Sequence, residues 1–385
     1  MKAFILYSNF LDYDGKYQLI GGIETYLQNL AGVCQSMGIE PIIYQWAKRS
    51  FDVNVVGIVV KGIPLLHLSS KKRPLALFRS ALKEIDIEED IVIFGSDSQS
   101  VRSKCKRAVS IQHGISWDLP SRFLTNHTVC QSGLIGILYK AWIRRRFVAY
   151  YERCCNRVCV DYNFLNWYRT YLASEPLGRN WVIPNFASIG SVEQMKAPGR
   201  SDKTTNILFA RRFCEFRGTR IMAEVAKCLL VNYPHVEFTF AGEGPDEIWL
   251  KETFTGETRV KFLKYLPDEA LAVHLKHHVA VVPSLASEGT SLSVAEAMGA
   301  GCAVVASAVG GITNMIIDGY NGLLVTPNTT DLIAALEQVI ERPEFMKQLG
   351  INAYCVASNG FTLNKWQSRW RQVFETIIND EHKEI

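Results

Sequence analysis

No Cys-x-x-Cys pair occurs in the 385 residues, although the chain has ten cysteines. They are scattered, at Cys34, Cys105, Cys130, Cys154, Cys155, Cys159, Cys214, Cys228, Cys302 and Cys355, a spacing that suggests neither a zinc site nor a redox dithiol. Long apolar runs are missing too. None reaches the roughly 18 residues that a transmembrane helix requires. The opening MKAFILYSNF lacks the charged head, apolar core and small-residue cleavage site of a secretory signal. The expectation is therefore a cytoplasmic protein with reduced thiols, mostly in its core. Charge of one sign is scarce: 42 Lys+Arg against 38 Asp+Glu leave a net +4. That excludes nucleic-acid binding driven by phosphate neutralisation, and the acidic, disordered class. Gly-x-Ser-x-Gly, His-Glu-x-x-His and P-loop motifs are all absent. At about 150 residues per domain, the length fits two domains, each large enough for a core.

What is present begins with a βαβ unit. Ala3–Ser8 is an apolar run of strand length, and a polar loop follows to Gly21-Gly22. Apolar residues then recur at helical spacing from Ile23 to Met37, Gly38 stops the helix, and Pro41–Trp46 is the next strand. Further strands are expected at Val53–Val60, Ile91–Phe94 and Ala108–Gln112, the last running into His113-Gly114. Residues 133–172 read as long, aromatic-rich helix containing Arg144, Arg145 and Arg146. A short strand at Asn180–Pro184 precedes a stretch, 187–205, rich in Ser, Gly, Pro and Lys that reads as a linker. A second strand–helix series then starts, with strands at Asn206–Ala210, Val236–Ala241, Val260–Phe262, Val279–Pro283, Ala303–Ala306 and Gly322–Val325. Such alternation means parallel sheets covered on both faces, with ligands at the carboxyl ends of the strands.

The densest segment is VVPSLASEGTSLSVAEAMGAGCAVVASAVGG, residues 281–311. A strand ends at Pro283, the next loop carries Glu288, and Thr290 or Ser291 can cap the following helix, which contains Glu296. A helix start presents unpaired N–H groups and a positive dipole end, which suits a phosphate. Glu296 lies about four residues into the helix at a rise of about 1.5 Å each. The two carboxylates would flank that phosphate, as a ligand with hydroxyls on both sides of a diphosphate requires. A nucleotide sugar meets this description.

This Glu-x7-Glu pattern, with Pro-Ser before it and Gly-Gly after it, resembles glycosyltransferase family 4 of the retaining GT-B superfamily (glycosyl transferases group 1). The resemblance covers nearly the whole chain and is strongest over residues 205–326. It implies an α/β GT-B fold, two Rossmann-like parallel-sheet domains facing across a cleft. It assigns the GG-x-E loop near the donor phosphates to Gly21, Gly22 and Glu24, and the His-Gly near the donor sugar to His113-Gly114. Arg212 and Arg217 match the cations that stabilise the leaving diphosphate, Arg217 standing for the usual lysine and Arg211 for the usual glycine. Gly242-Glu-Gly244-Pro matches the second-domain turn, and Lys264 and Tyr265 are the candidate neighbours of the nucleobase. Thr290 and Ser291 replace an aromatic-glycine pair, with Leu292 next in the loop. Glu288 would bind donor-sugar hydroxyls and Glu296 the ribose.

The expected organisation is an acceptor-side domain over 1–186, the linker 187–205, and a nucleotide-sugar domain over 206–362. A C-terminal helix over 363–385 is expected to pack back on the first domain. The implied activity is metal-independent, retaining transfer of a hexose from a UDP- or GDP-linked sugar, a co-substrate, with no further cofactor. The acceptor class implied is a glycan, a lipid-linked oligosaccharide of bacterial surface polysaccharide synthesis. A metal-dependent GT-A enzyme would need an Asp-x-Asp motif, and Asp12-Tyr-Asp14 sits too early in the chain to supply one. The alternatives are a GT-B sugar-nucleotide epimerase and a catalytically silent nucleotide-sugar-binding protein. Arg144, Arg145 and Arg146, beside Trp142, Phe147, Tyr150 and Tyr151, are a candidate contact with anionic lipid at the inner face of the membrane.

Overall fold

Short apolar runs such as Ile91–Phe94, buried along their whole length, can sit only in the middle of a sheet covered on both faces. Helices between successive runs supply the covers. The computed structural model describes residues 1–19, 21–115, 127–195, 204–286 and 288–379. They form two compact units. The first comprises Met1–His113, Ser132–Ile183 and Gln367–Ile385, and the second Gly114–Gln131 and Pro184–Trp366.

The first unit holds an eight-stranded sheet. Its strands are β1 (Lys2–Leu6), β2 (Glu40–Ala47), β3 (Phe51–Val55), β4 (Ile58–Pro64), β5 (Ile91–Phe94), β6 (Arg107–Gln112), β7 (Asn156–Cys159) and β8 (Arg179–Val182). The order is β3-β4-β2-β1-β5-β6-β7-β8, with β3 antiparallel to β4 and every other pair parallel. The single strand expected at Val53–Val60 is thus a hairpin. Its two-residue turn, Val56-Gly57, has both φ angles positive, at 50° and 78°, the geometry whose twist matches paired antiparallel strands. The long helix expected over 133–172 is broken as well, into Gly133–Tyr151, strand β7 and Tyr162–Leu172. β7 hides in the sequence because Arg157 interrupts its apolar run. That arginine is buried, with its guanidinium 4.7 Å from the Tyr151 ring centroid.

The second unit holds β9 (Thr205–Ala210), β10 (Val236–Ala241), β11 (Val260–Leu263), β12 (Val279–Val282), β13 (Ala303–Ser307) and β14 (Leu323–Val325). All pairs are parallel, in the order β11-β10-β9-β12-β13-β14. Numbered within the unit, this is the 3-2-1-4-5-6 arrangement of a doubly wound nucleotide-binding sheet, whose order reverses between β9 and β12. Apolar side chains fill both faces, Phe209, Phe240 and Leu336 on one side, Val294, Met298 and Ala353 on the other.

Two boundaries differ from expectation. Ala187–Gly190, read as the start of a linker, packs into the second unit. Ala187 N–H donates to Phe361 O at 2.8 Å and Gly190 N–H to Gly299 O at 3.0 Å, contacts that small side chains permit. Of the remaining linker stretch, 196–203 lies outside the described residues. The last helix runs Leu363–Ile378, and 380–385 also lie outside them. Trp370 on that helix is fully buried in the first unit and donates from Nε1 to Tyr26 Oη at 2.9 Å.

Candidate active site

In a doubly wound sheet, ligands gather where the strand order reverses, at the carboxyl ends of the two central strands. In the second unit these ends are Ala210 on β9 and Val282 on β12. Arg211 and Arg212 follow the first, and Ser284 and Glu288 lie in the loop after the second. The sheet thus brings together residues that are about seventy positions apart in sequence.

Glu288 is the centre of the cluster. Its Oε1 accepts from Arg211 Nη2 at 2.5 Å, from Ser284 Oγ at 2.5 Å, and from Arg217 Nη1. Burial alone would push this carboxyl up. The Arg211 and Arg217 guanidiniums and the Ser284 hydroxyl more than offset that and hold it at about 2. All three of these donors converge on one oxygen. Arg217 is thus brought to Glu288, whereas Arg212 is exposed and makes no ion pair among the described residues. Arg211, which stands where the family usually has glycine, is the buried one, its side chain 6% exposed.

Loop positions are fixed by close backbone approach. Gly310 has φ +52°, and a Cβ there would lie 2.1 Å from Glu288 O. Next to it, Gly311 N–H donates to Glu288 O at 2.8 Å. Gly242 has φ +146°, and its Cβ would lie 2.1 Å from Arg211 O. Only glycine lets these strand-end loops hold Glu288 and Arg211 so closely. Asn185 secures the same loop from outside. Its N–H donates to Thr290 Oγ1 at 2.8 Å and its side-chain amide to Thr290 O at 2.5 Å.

Ser291 is the N-cap of helix Leu292–Gly299, but its side chain makes no capping hydrogen bond. The side chain of Thr290 is instead taken by Asn185. The first-turn N–H groups thus lack the side-chain acceptor expected from sequence. Ser293, in that turn, donates to Ala210 O at 3.1 Å and ties the helix start to the end of β9. Further along, burial pushes the Glu296 carboxyl up to about 8, against the opposing charge of Arg211. Tyr265 is raised too, first by burial and then by the Glu296 charge. Lys264 pairs with Glu243 at 3.2 Å and Glu247 at 3.3 Å. It borders a recess of about 180 Å³ shared with Phe213, Gly242 and Phe262.

In the first unit the order reverses between β1 and β5. Gly21 caps and Gly22 opens helix Gly22–Ser36, where Glu24 accepts from Tyr7 Oη at 3.3 Å. His113, just past β6, lies 2.9 Å through Nε2 from Gly95 O. A carbonyl only accepts, so Nε2 carries the proton and Nδ1 is the ring's acceptor. Burial holds this histidine down at about 4, so it is neutral near pH 7. Two carboxyls not anticipated stand at neighbouring strand ends. Asp97 follows β5 and is pushed up to about 7 by burial. Asp161 follows β7, is raised to about 6 by burial, and accepts from Phe164 N–H at 2.9 Å. The sequence signals were a carboxylate shortly after an apolar run and, for Asp161, one at a helix start.

Residues 204–342, which carry the Arg211–Glu288–Glu296 cluster, match the family described as Glycosyl transferases group 1. Over that stretch, less than half of its length, the chain is similar to group 1 glycosyltransferases. Along more of its length it is similar to the phosphatidyl-myo-inositol mannosyltransferase of Mycolicibacterium smegmatis, 24% identical over 335 residues, 84% of this chain and 82% of that one. Among solved structures it resembles the sucrose-phosphate synthase of Thermosynechococcus elongatus, with a TM-score of 0.71 at 17% identity, covering 98% of this chain and 99% of that one. Anabaena HepE in complex with UDP-glucose gives a TM-score of 0.69 at 17% identity, over 98% and 100% of the two chains. These neighbours show that the chain has a GT-B fold. No helix among its described residues is long and apolar enough to cross a membrane.

Proposed function

We propose that the protein is a glycosyltransferase of the family 4 type and transfers a hexose, with retention and without a metal, from a UDP- or GDP-linked sugar to a glycan acceptor. The observation that carries this reading is the cluster at the reversal of the second sheet. Glu288 is held ionised by two guanidiniums there, beside a helix start with no side-chain cap. Glu288 Oε2 accepts from donor-sugar hydroxyls. Arg217, Arg212 and the first-turn amides from Leu292 stabilise charge growing on the diphosphate, work that fixed cations and dipoles can do. Glu296, largely protonated near neutral pH, both donates to and accepts from ribose hydroxyls, and Lys264 and Tyr265 stand toward the base. His113 acts as a neutral ring on the acceptor side. A neighbour of the same fold was solved with UDP-glucose, which favours the uridine donor.

A lipid-linked acceptor of bacterial surface polysaccharide synthesis fits one exposed surface. On helix Gly133–Tyr151, Leu134, Ile135, Ile137, Leu138 and Trp142 are 53–73% exposed. Residues 127–151 contain four Lys and Arg and no Asp or Glu. We place this face against anionic lipid on the cytoplasmic side. Arg146 is held over Trp142 and Tyr150, at 5.6 and 5.3 Å from their ring centroids, so the apolar residues lead the contact.

The test is incubation of purified protein with labelled UDP- and GDP-sugars, with and without glycan acceptors. Transfer requires an acceptor, epimerisation does not, and silent binding gives thermal stabilisation alone. Glu288→Ala and Arg212→Ala are each expected to lower transfer by about 100-fold or more. A near-normal rate in either variant removes that residue from the assignment.

A further inference from the structure

Leu134, Leu138, Trp142, Arg146 and Tyr150 follow one another at four-residue steps and form a single ridge along helix Gly133–Tyr151. The first three are 53–73% exposed. The other end of the ridge is cationic. The Tyr150 ring carries two guanidiniums, Arg146 at 5.3 Å and Arg153 at 4.3 Å from its centroid, and Arg146 Nε donates to Tyr150 Oη at 2.6 Å. The loop after β5 is tied to the same place. Ser100 Oγ donates to Tyr150 O and Arg153 Nη1 to Ser100 O, each at 2.6 Å, and Arg102 follows two residues on. These cations feel one another. Burial is the first cause that pulls the half-buried Arg153 below its usual range, and the charges of Arg102 and Arg146 pull the same way, against Tyr150. None of the three arginines makes an ion pair among the described residues. The adjacent carboxylate, Glu152, is taken by Arg145 Nη1 at 3.3 Å and Tyr168 Oη at 2.9 Å. The carbonyl end of the helix supplies roughly half a negative charge, too little for three guanidiniums.

We propose that Arg102, Arg146 and Arg153 bind the phosphate or diphosphate group of a lipid-linked acceptor, whose apolar chain lies along Trp142, Leu138 and Leu134. The proposal rests on the lipid-linked acceptor reading above and names the group that is recognised. Charge complementarity selects the occupant, because guanidinium forks match phosphate oxygens in pairs. Apolar and cationic side chains stand end to end on one ridge, with Leu138 and Arg146 about 12 Å apart at a rise of about 1.5 Å per residue. A molecule with an anionic head and a long apolar tail spans both. A helix that merely lies on a bilayer keeps its apolar and charged residues on opposite faces instead. The loop that carries Ser100 and Arg102 begins at Gly95, whose carbonyl lies 2.9 Å from His113 Nε2. The bound head is thus one loop away from the acceptor-side histidine.

Titration calorimetry on the full chain tests this, with UDP and GDP in excess to fill the donor site. The probes are farnesyl diphosphate, farnesol and inorganic pyrophosphate, and the first is expected to bind more tightly than either fragment. Arg102 is exposed, so its variants leave the fold intact. Arg102→Ala should weaken farnesyl diphosphate about tenfold, and Arg102→Lys less than about threefold, with farnesol unchanged. Unchanged affinity for farnesyl diphosphate in Arg102→Ala overturns the proposal, and so does an equal loss for farnesol, the sign of a merely structural role. Pyrophosphate that binds as tightly as farnesyl diphosphate, with the same loss, assigns the arginines to a free anion and overturns the lipid. Cosedimentation with phosphatidylcholine and phosphatidylglycerol vesicles separates the bilayer: capture that falls as far in Arg102→Ala assigns the arginines to the membrane surface and overturns the proposal too. A wild type that transfers sugar to glycans without binding farnesyl diphosphate sinks this inference alone. One that binds it through Arg102 but transfers no sugar sinks the transferase reading alone.

Discussion

At the scale of single residues, Glu288 stores stability that depends on pH. Its carboxyl lies near 4.5 when unfolded and about 2 when folded, so the native state binds fewer protons between those values. The stabilisation is complete above about pH 4.5 and is lost as pH falls through 2. Glu288→Gln should therefore cost about 3 kcal/mol at pH 7, because it leaves buried guanidiniums uncompensated. The gap to wild type should narrow by roughly 1–2 kcal/mol at pH 3. Urea melts at the two pH values check this, and a gap independent of pH would place the stabilising charge elsewhere. His113 adds to acid sensitivity in the same sense. It is held neutral down to about 4, while the unfolded ring takes up a proton from about 6.5. Glu288 and Glu296 were legible in the sequence because a strand, a loop and a helix at fixed spacing carry them. That Arg211 is buried and Arg212 exposed was not. Two adjacent arginines after a strand look alike, and which one turns inward depends on Gly242 and Glu288, both far away in sequence.

Among the elements, the strands with uninterrupted apolar runs were readable and those carrying a local exception were not. β5, β12 and β13 are buried throughout and stand out. β7 is short and carries a buried arginine, so its period is lost between two aromatic helices. The β3–β4 hairpin was merged into one strand because its turn opens with valine. Val56 has φ 50° and is 80% exposed, a backbone region that β-branched residues avoid. Asn-Gly is the preferred pair for this turn. Val56→Asn should accordingly raise stability by about 0.5–1 kcal/mol, seen as a higher midpoint at unchanged slope in urea unfolding. No gain, or a loss, would mean that the exposed valine is held by contacts beyond its own turn.

For the whole molecule, a net charge of +4 conceals how unevenly charge is distributed. The helix over Gly133–Tyr151 is cationic and bare of acids, while Leu134, Ile135, Ile137, Leu138 and Trp142 remain exposed on it. Cosedimentation with vesicles of mixed phosphatidylcholine and phosphatidylglycerol is expected to capture the protein. The Leu134→Glu, Leu138→Glu pair should release it, with thermal stability unchanged because neither side chain is buried. Equal sedimentation of wild type and variant would remove that face from the membrane. The pairing of Trp370 with Tyr26 has a consequence of a different kind. The two are 344 positions apart, and the first unit includes the chain from Gln367 onward. A ribosome delivers the early strands of that unit long before the helix that buries Trp370. Nascent chains therefore carry a first sheet with part of its apolar cover still unmade while Pro184–Trp366 of the second unit is being synthesised, at about 5–20 residues per second. The portion of the protein that is translated first is the portion that is finished last.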